Sequence, residues 1–318
     1  MTADGSEVAT QVRPKFSDPS LTASGQKRAK VALAQRKTLW FNTGTLCNLS
    51  CTNCYIESSP RNDRLVYLTR EEVRAFLDEA EQERLGTEEI GFTGGEPFMN
   101  PHLMDILRLC LERDYRVLLL TNAMRPMMKQ AEGLRALLPL ARGRLTLRVS
   151  LDHYAAAFHE RERGSRSWAP TIAGLQWLCR EGFRVDVAGR QLSGEGEGQL
   201  RAGYQRLFSE LGLPLNAEDP AQLVLFPEMD SAAEVPEITE ACWGILGKQP
   251  SDVMCASSRM VVKRKGAARP AVVACTLLPY QSAFELGATL KEALGEVPLN
   301  HPHCARFCVL GGASCSAR

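Results

Sequence analysis

From Thr38 onward, short runs rich in β-branched and aromatic residues alternate with longer stretches whose apolar positions recur every three or four residues. The short runs predict strands over 38–42, 89–93, 116–121, 144–150, 184–188 and 222–226. The longer stretches predict helices. The first, 69–84, opens with Thr69 and Glu72 in capping-box spacing and carries Val73, Phe76, Leu77 and Ala80 on one face. The next, 101–113, begins at Pro101 and turns Leu103, Ile106, Leu107, Cys110 and Leu111 inward. Further helices are expected at 127–138, 168–181 and 197–211. Strand and helix in alternation argue for a parallel sheet. Six units predict an α/β fold, a partial (β/α)6 TIM-like barrel over 38–229.

The pattern changes at both ends. Residues 1–37 are polar, broken by Pro14, Pro19 and Gly25, and end in a basic run from Lys27 to Lys37. A mobile polar leader is expected there, helical at most in its last two turns. Beyond 229 the helical periodicity fades and cysteines accumulate. Runs 260–263 and 271–274 predict a hairpin around Lys265-Gly266, with a short helix over 286–294 after it. Residues 230–318 are therefore expected to form a small cysteine-rich hairpin-plus-helix domain, ordered partly by a bound metal centre.

Composition narrows the function classes. With 38 Lys+Arg against 37 Asp+Glu the net charge is +1, which supplies no field for holding a polyanion, so nucleic acid is not an expected partner. No run approaches the roughly 20 apolar residues of a membrane span, and residues 1–16 lack the apolar core of a signal peptide. A soluble cytoplasmic protein without a membrane partner is expected. The 11 cysteines stand out against this background. In a reducing compartment they do not read as a disulfide framework. Cys47, Cys51 and Cys54 form one group, Cys304, Cys308 and Cys315 another, with Cys242, Cys255 and Cys275 between. Thiols grouped in this way read as metal or cluster ligands. Cys110 and Cys179 fall on apolar helix faces and read as packed thiols.

In a barrel of parallel strands the chemistry sits at the carboxyl ends. Cys47 to Cys54 follow the first predicted strand, Gly94-Gly95-Glu96-Pro97 the second, Thr121-Asn122 the third and Ser150-Leu151-Asp152 the fourth. That shared placement assigns them to one site. Three thiols is an informative number. A structural zinc site closes with four protein ligands, whereas a [4Fe–4S] cluster held by three cysteines leaves one iron open. Spacing alone also admits half of a zinc site completed by a distant histidine.

The spacing of Cys47, Cys51 and Cys54, followed by Gly94-Gly95-Glu96-Pro97 after the next strand, resembles the radical S-adenosylmethionine (SAM) enzymes. Val149-Ser150-Leu151-Asp152, with the run His159 to Gly164, is similar to the branch containing molybdenum-cofactor-biosynthesis, sulfatase-maturating and peptide-modifying members. The resemblance implies a cluster on Cys47, Cys51 and Cys54 whose open iron is chelated by SAM. It implies reductive cleavage to a 5′-deoxyadenosyl radical, with hydrogen abstraction from a peptide side chain or small metabolite. Gly94, Gly95 and Glu96, with Pro97, match positions that face the methionyl ammonium, and Ser150 and Arg163 match the ribose and carboxylate contacts, with Asn122 nearby. Arg163 suits a carboxylate because a guanidinium forms a two-point charged bond. Two positions depart from the family pattern. Asn53 stands where many members carry an aromatic residue before the third cysteine, and Tyr55 follows Cys54 instead. His153 stands where the related motif often has glycine.

Cys255, Gly266 and Cys275, then Cys304, Cys308 and Cys315, resemble the SPASM and twitch extensions that carry auxiliary iron–sulfur clusters. One auxiliary [4Fe–4S] cluster is implied, on Cys255 and Cys275 with two of the last three, Cys242 being a sixth thiol in reach. Zinc with His301 or His303 is the alternative for these residues. The resemblance further implies an oxidoreductase- or transferase-type enzyme with an electron donor such as flavodoxin or ferredoxin. A separate N-terminal domain for binding a leader peptide is not expected, because only about 37 polar residues precede the first strand. The rival reading is a non-catalytic zinc or iron–sulfur protein that senses redox state or binds a partner. Met124, Met127 and Met128 read as packing, Lys263 to Lys265 as a solvated turn, and His159 as a structural hydrogen bonder.

Overall fold

Side chains alternate across a strand, so a strand with two dry faces must find two separate apolar layers. The strands of this chain do so. The computed structural model describes residues 13–84, 86–191, 194–228 and 234–313. Its strands are β1 (Lys30–Val31), β2 (Thr38–Asn42), β3 (Glu89–Thr93), β4 (Arg116–Thr121), β5 (Leu145–Ser150), β6 (Arg184–Arg190), β7 (Leu223–Phe226), β8 (Ser258–Val262), β9 (Ala271–Val273), β10 (Glu285–Gly287) and β11 (Val297–Pro298). Its helices are α1 (Arg70–Glu83), α2 (Leu103–Glu112), α3 (Arg125–Met128), α4 (Ala131–Ala141), α5 (Ala156–Arg163), α6 (Trp168–Arg180), α7 (Glu197–Glu210) and α8 (Cys242–Leu246).

The main sheet runs β10-β9-β8-β2-β3-β4-β5-β6-β7. From β8 to β7 every pair is parallel, while β9 and β10 are antiparallel additions. The α/β class with a mostly parallel sheet is as expected. The barrel is not confirmed, because among the described residues β7 and β10 remain separate edges and the sheet does not close.

Leu39 and Phe41, Ile90 and Phe92, Val117 and Leu119, and Leu145, Leu147 and Val149 join one apolar layer with α1, α2, α4, α6 and α7. The intervening Trp40 and Leu118, with Met260, Val262 and Val273, join a second layer on the opposite face. The C-terminal segment fills that layer with Met254, Cys255, Leu278, Phe284, Cys304, Phe307 and Cys308. Gly91 lies where a Cβ would meet the Trp40 ring at 2.5 Å, so its missing side chain makes room for the indole.

Three local readings change. Residues 13–37 are not a mobile leader ending in a helix. Here β1 pairs with β11, and Arg28 is fully buried against Glu237 and the carbonyl oxygens of Asp18, Leu21 and Leu299. The helix expected over 286–294 is replaced by β10 and a single 3-10 turn, Glu292–Leu294, because the segment's backbone pairs with β9. The helix expected over 127–138 is two helices, α3 and α4. The expected boundary at 229/230 lies outside the described residues, as does Cys315.

Candidate active site

Three cysteines held in one loop need that loop fastened on several sides. The Cys47 N–H donates to the Ser59 carbonyl at 3.1 Å, and the Thr52 N–H donates to the Glu162 carbonyl of α5 at 2.8 Å. Asn53 Nδ2 donates to Glu162 Oε2 at 2.8 Å, and Tyr280 from the C-terminal segment donates its hydroxyl to the Ile56 carbonyl at 2.8 Å. The Leu49 N–H approaches Cys47 Sγ at 3.4 Å, and the Ser58 N–H approaches Cys54 Sγ at 3.3 Å. Amides aimed at sulfur favour the thiolate that a cluster requires. Burial acts the other way, pushing the Cys47 thiol up to about 12 and raising Cys51, so a bound cation must displace their protons.

All three thiols line a single cavity at the carboxyl ends of the strands. Its walls include Tyr55, Gly94, Gly95, Pro97, Asn122, Ser150 and Arg163, every one of them expected from the sequence. The glycines are required by the crossing of two backbones. A Cβ on Gly95 would stand 2.2 Å from the Leu46 carbonyl oxygen, and Gly94 adopts φ +147 against Gly44. Glu96 is the exception to the expected set, since its carboxylate stands behind the wall. It accepts from Thr121 Oγ1 at 2.9 Å, the Asn122 N–H at 2.8 Å and the Phe98 N–H at 3.2 Å, capping the turn Pro97–Met99. Burial pushes its carboxyl up to about 7 despite these three donors.

Arg163 closes α5, and both prongs of its fork are taken by Asp152, Nε to Oδ2 at 2.8 Å and Nη2 to Oδ1 at 2.9 Å. Burial alone would raise the Asp152 carboxyl, but the Arg163 guanidinium holds it below the usual carboxylate range. Asn122 Nδ2 donates to Asn48 Oδ1 at 2.9 Å, tying the third strand end to the cysteine loop. His153 is buried with Nε2 2.9 Å from Glu195 Oε2, which anchors the loop leading to α7. His159 differs from the expectation of a structural hydrogen bonder. Both of its ring nitrogens lack a partner among the described residues, and it packs edge-on against Trp168.

Four further wall residues were not singled out in the sequence. Arg190 ends β6 and Phe226 ends β7, while Leu277 and Phe307 come from the C-terminal segment. The placement rule that found the first four groups applies equally to the fifth and sixth strands, and Arg190 was its missed signal.

Among the described residues none of the C-terminal thiols lines this wall. Cys255, Cys304 and Cys308 are buried in the second apolar layer, with Cys242 and Cys275 packed against it. Burial raises the Cys304 thiol well above its ordinary value, and the nearby Cys275 and Cys255 add to the shift. Cys304 and Cys308 share a π-helical turn, Cys304–Leu310, four residues apart and so on one face. Among the described residues no three His, Cys, Asp or Glu side chains are gathered closely enough to share one metal ion. No helix among the described residues is long and apolar enough to cross a membrane.

Comparison with known proteins now adds to the geometry. Residues 41–197 match the family model described as the radical SAM superfamily. The antilisterial bacteriocin subtilosin biosynthesis protein AlbA of Bacillus subtilis is 30% identical over 179 residues, 56% of this chain and 37% of AlbA. A GTP 3′,8-cyclase of Rhodococcus opacus is 33% identical over 184 residues, 54% of this chain and 50% of the cyclase. The chain therefore spans half or less of these two relatives. Among solved structures, SuiB of Streptococcus suis bound to S-adenosylmethionine superposes with a TM-score of 0.59 at 14% identity, covering 82% of this chain and 65% of SuiB. The same protein has been solved bound to the precursor peptide SuiA. Residues 41–197 of this chain are a domain of the radical SAM superfamily, whose cofactors are a [4Fe–4S] cluster and S-adenosylmethionine.

Proposed function

We propose that Cys47, Cys51 and Cys54 hold the [4Fe–4S] cluster, that the surrounding wall holds SAM, and that the enzyme acts on a peptide. One observation carries this reading: three thiols and the Gly94-Gly95, Asn122, Ser150 and Arg163 groups line one cavity although they come from four different strand ends and the end of α5. When bound there, a reduced cluster and SAM would supply the chemistry of hydrogen-atom abstraction through a 5′-deoxyadenosyl radical.

The chain's own groups bind, orient and exclude water. Backbone carbonyls of the Gly94-Gly95 crossing accept from the methionyl ammonium, with Pro97 shaping the turn beside them. Glu96 acts from behind as a positioning residue, because its carboxylate locks the end of β4 and so sets Asn122. Ser150 and Asn122 serve the ribose, and Tyr55 offers its ring to the adenine in place of the missing aromatic at Asn53. Arg163 presents its charge while Asp152 fixes its plane. Leu120, Phe226, Leu277 and Phe307 dry the far side, which protects a radical from solvent.

An auxiliary [4Fe–4S] cluster on Cys255, Cys275, Cys304 and Cys308 is supported by the burial of three of them in one layer with Cys275 packed against it, Cys242 lying at the margin. AlbA's part in bacteriocin biosynthesis and the SuiA peptide on SuiB support a peptide substrate. Reconstitution without oxygen tests both clusters. About eight irons per chain are expected, falling to about four in Cys275→Ala. That variant is expected to keep part of its SAM cleavage and to lose modified peptide. Zinc in place of iron at Cys47, Cys51 and Cys54 would overturn the reading.

A further inference from the structure

The cavity wall carries two arginines, and they differ in how their charge is used. Arg163 is held by a two-point pair with Asp152, which neutralises its charge and uses two of its five N–H donors. Arg190 is about nine-tenths buried, yet among the described residues its Nη2 has no hydrogen-bond partner. Its nearest carboxylate is Glu162, whose Oε2 lies 3.9 Å from Nη1 and already accepts from Asn53, while Asp152 and Cys51 feel its charge from farther away. A buried guanidinium with unmet donors is costly unless something supplies an acceptor.

The surroundings say what kind of acceptor. Arg190 and Phe226 are partners across the parallel β6–β7 pair, so both side chains leave the sheet on the same face. Phe226 stacks on Phe307 with ring centroids 5.4 Å apart and planes at 29°. Leu277 and Leu120 complete the apolar wall beside them. One positive group at the edge of an aromatic and aliphatic surface suits a ligand with an apolar body and a single carboxylate.

We propose that Arg190 is a specificity-determining residue that pairs with a carboxylate of the substrate, whose apolar body lies on Phe226 and Phe307. This rests on the radical SAM reading of the cavity and adds the substrate class. A free hydrophobic acid and the C-terminal residue of a peptide share this chemistry.

The test is equilibrium dialysis on the reconstituted protein in the presence of SAM, with labelled 3-phenylpropionate, N-acetylphenylalanine and N-acetylphenylalaninamide as probes and SAM binding measured in parallel. The acids are expected to bind at least about tenfold more tightly than the amide, because a charge-assisted pair replaces a neutral contact. Arg190→Gln should erase that preference and Arg190→Lys should keep part of it, at equal cluster content. Equal binding of both acids supports a free acid as substrate, and binding of N-acetylphenylalanine alone supports a peptide C-terminus. Equal affinity for acid and amide, no binding of any probe, or an unchanged preference in Arg190→Gln would overturn the proposal. A protein that binds SAM but shows no acid preference sinks this inference alone, whereas one that binds no SAM sinks the reading beneath it as well.

Discussion

Single residues in this site divide into those whose type announces a role and those whose role comes from a partner. Cys47, Cys51 and Cys54 are of the first kind, and so are Gly94 and Gly95, because few other reasons place such residues after consecutive strands. Asp152, His153 and Arg190 are of the second kind. Their meaning depends on Arg163, on Glu195 and on an unfilled guanidinium, none of which can be read along the chain. His159 shows the same limit, since a buried histidine without a hydrogen-bond partner has no sequence signature. Burial, then the positive charge of Arg163, pushes its imidazole down to about 4 from an ordinary 6.5. The folded protein thus binds fewer protons than the unfolded chain between those values. The associated stability is complete above pH 6.5 and is lost as pH falls toward 4, about 3 kcal/mol for the full interval. His159→Phe should flatten that part of the acid-denaturation profile, measured by urea titration at a series of pH values. An unchanged profile would show that other groups carry the acid sensitivity.

Among elements, the strands were the most legible. Both faces of β2 and β3 are buried, and the observed bounds of β2 to β4 match the expected runs. The capping box of α1 forms as its spacing implied, with Glu72 N–H donating to Thr69 Oγ1 at 3.2 Å. Helix α5 was read as a motif and not as a helix, because the run from His159 to Arg163 is nearly all charged and has no apolar stripe. The segment 286–294 erred the other way, since helical spacing of apolar residues cannot show that β9 has an unpaired edge nearby. The crossing of Gly94-Gly95 beneath 44–46 is the element on which the cysteine loop rests. Gly95→Ala would drive a Cβ into the Leu46 backbone, which is not a flexible side chain and cannot swing aside. A loss of about 1–3 kcal/mol and a lower iron content after reconstitution are expected, read by denaturant unfolding and iron analysis. Wild-type values for both would mean that the crossing is slack.

Across the whole molecule, the C-terminal segment and residues 13–37 are built as one body with the sheet. The hairpin of β8 and β9 extends the parallel sheet directly through β2, and the β1–β11 pair straps the N-terminal residues onto the same apolar layer. Sequence separation of more than 200 residues between Arg28 and Glu237 hides this pairing from any local pattern. Arg28→Met leaves Glu237 as a buried carboxylate without its guanidinium and is expected to cost about 3–5 kcal/mol, measured as a fall in the urea midpoint. A midpoint equal to wild type would show that the strap adds nothing to stability. The central claim concerns the other end of the sheet and is tested most directly by one measurement: 5′-deoxyadenosine released from SAM after dithionite reduction of oxygen-free, reconstituted protein. The wild-type chain is expected to release it and Cys51→Ala to release none above background, whereas equal yields from the two proteins would contradict the assignment of the three thiols.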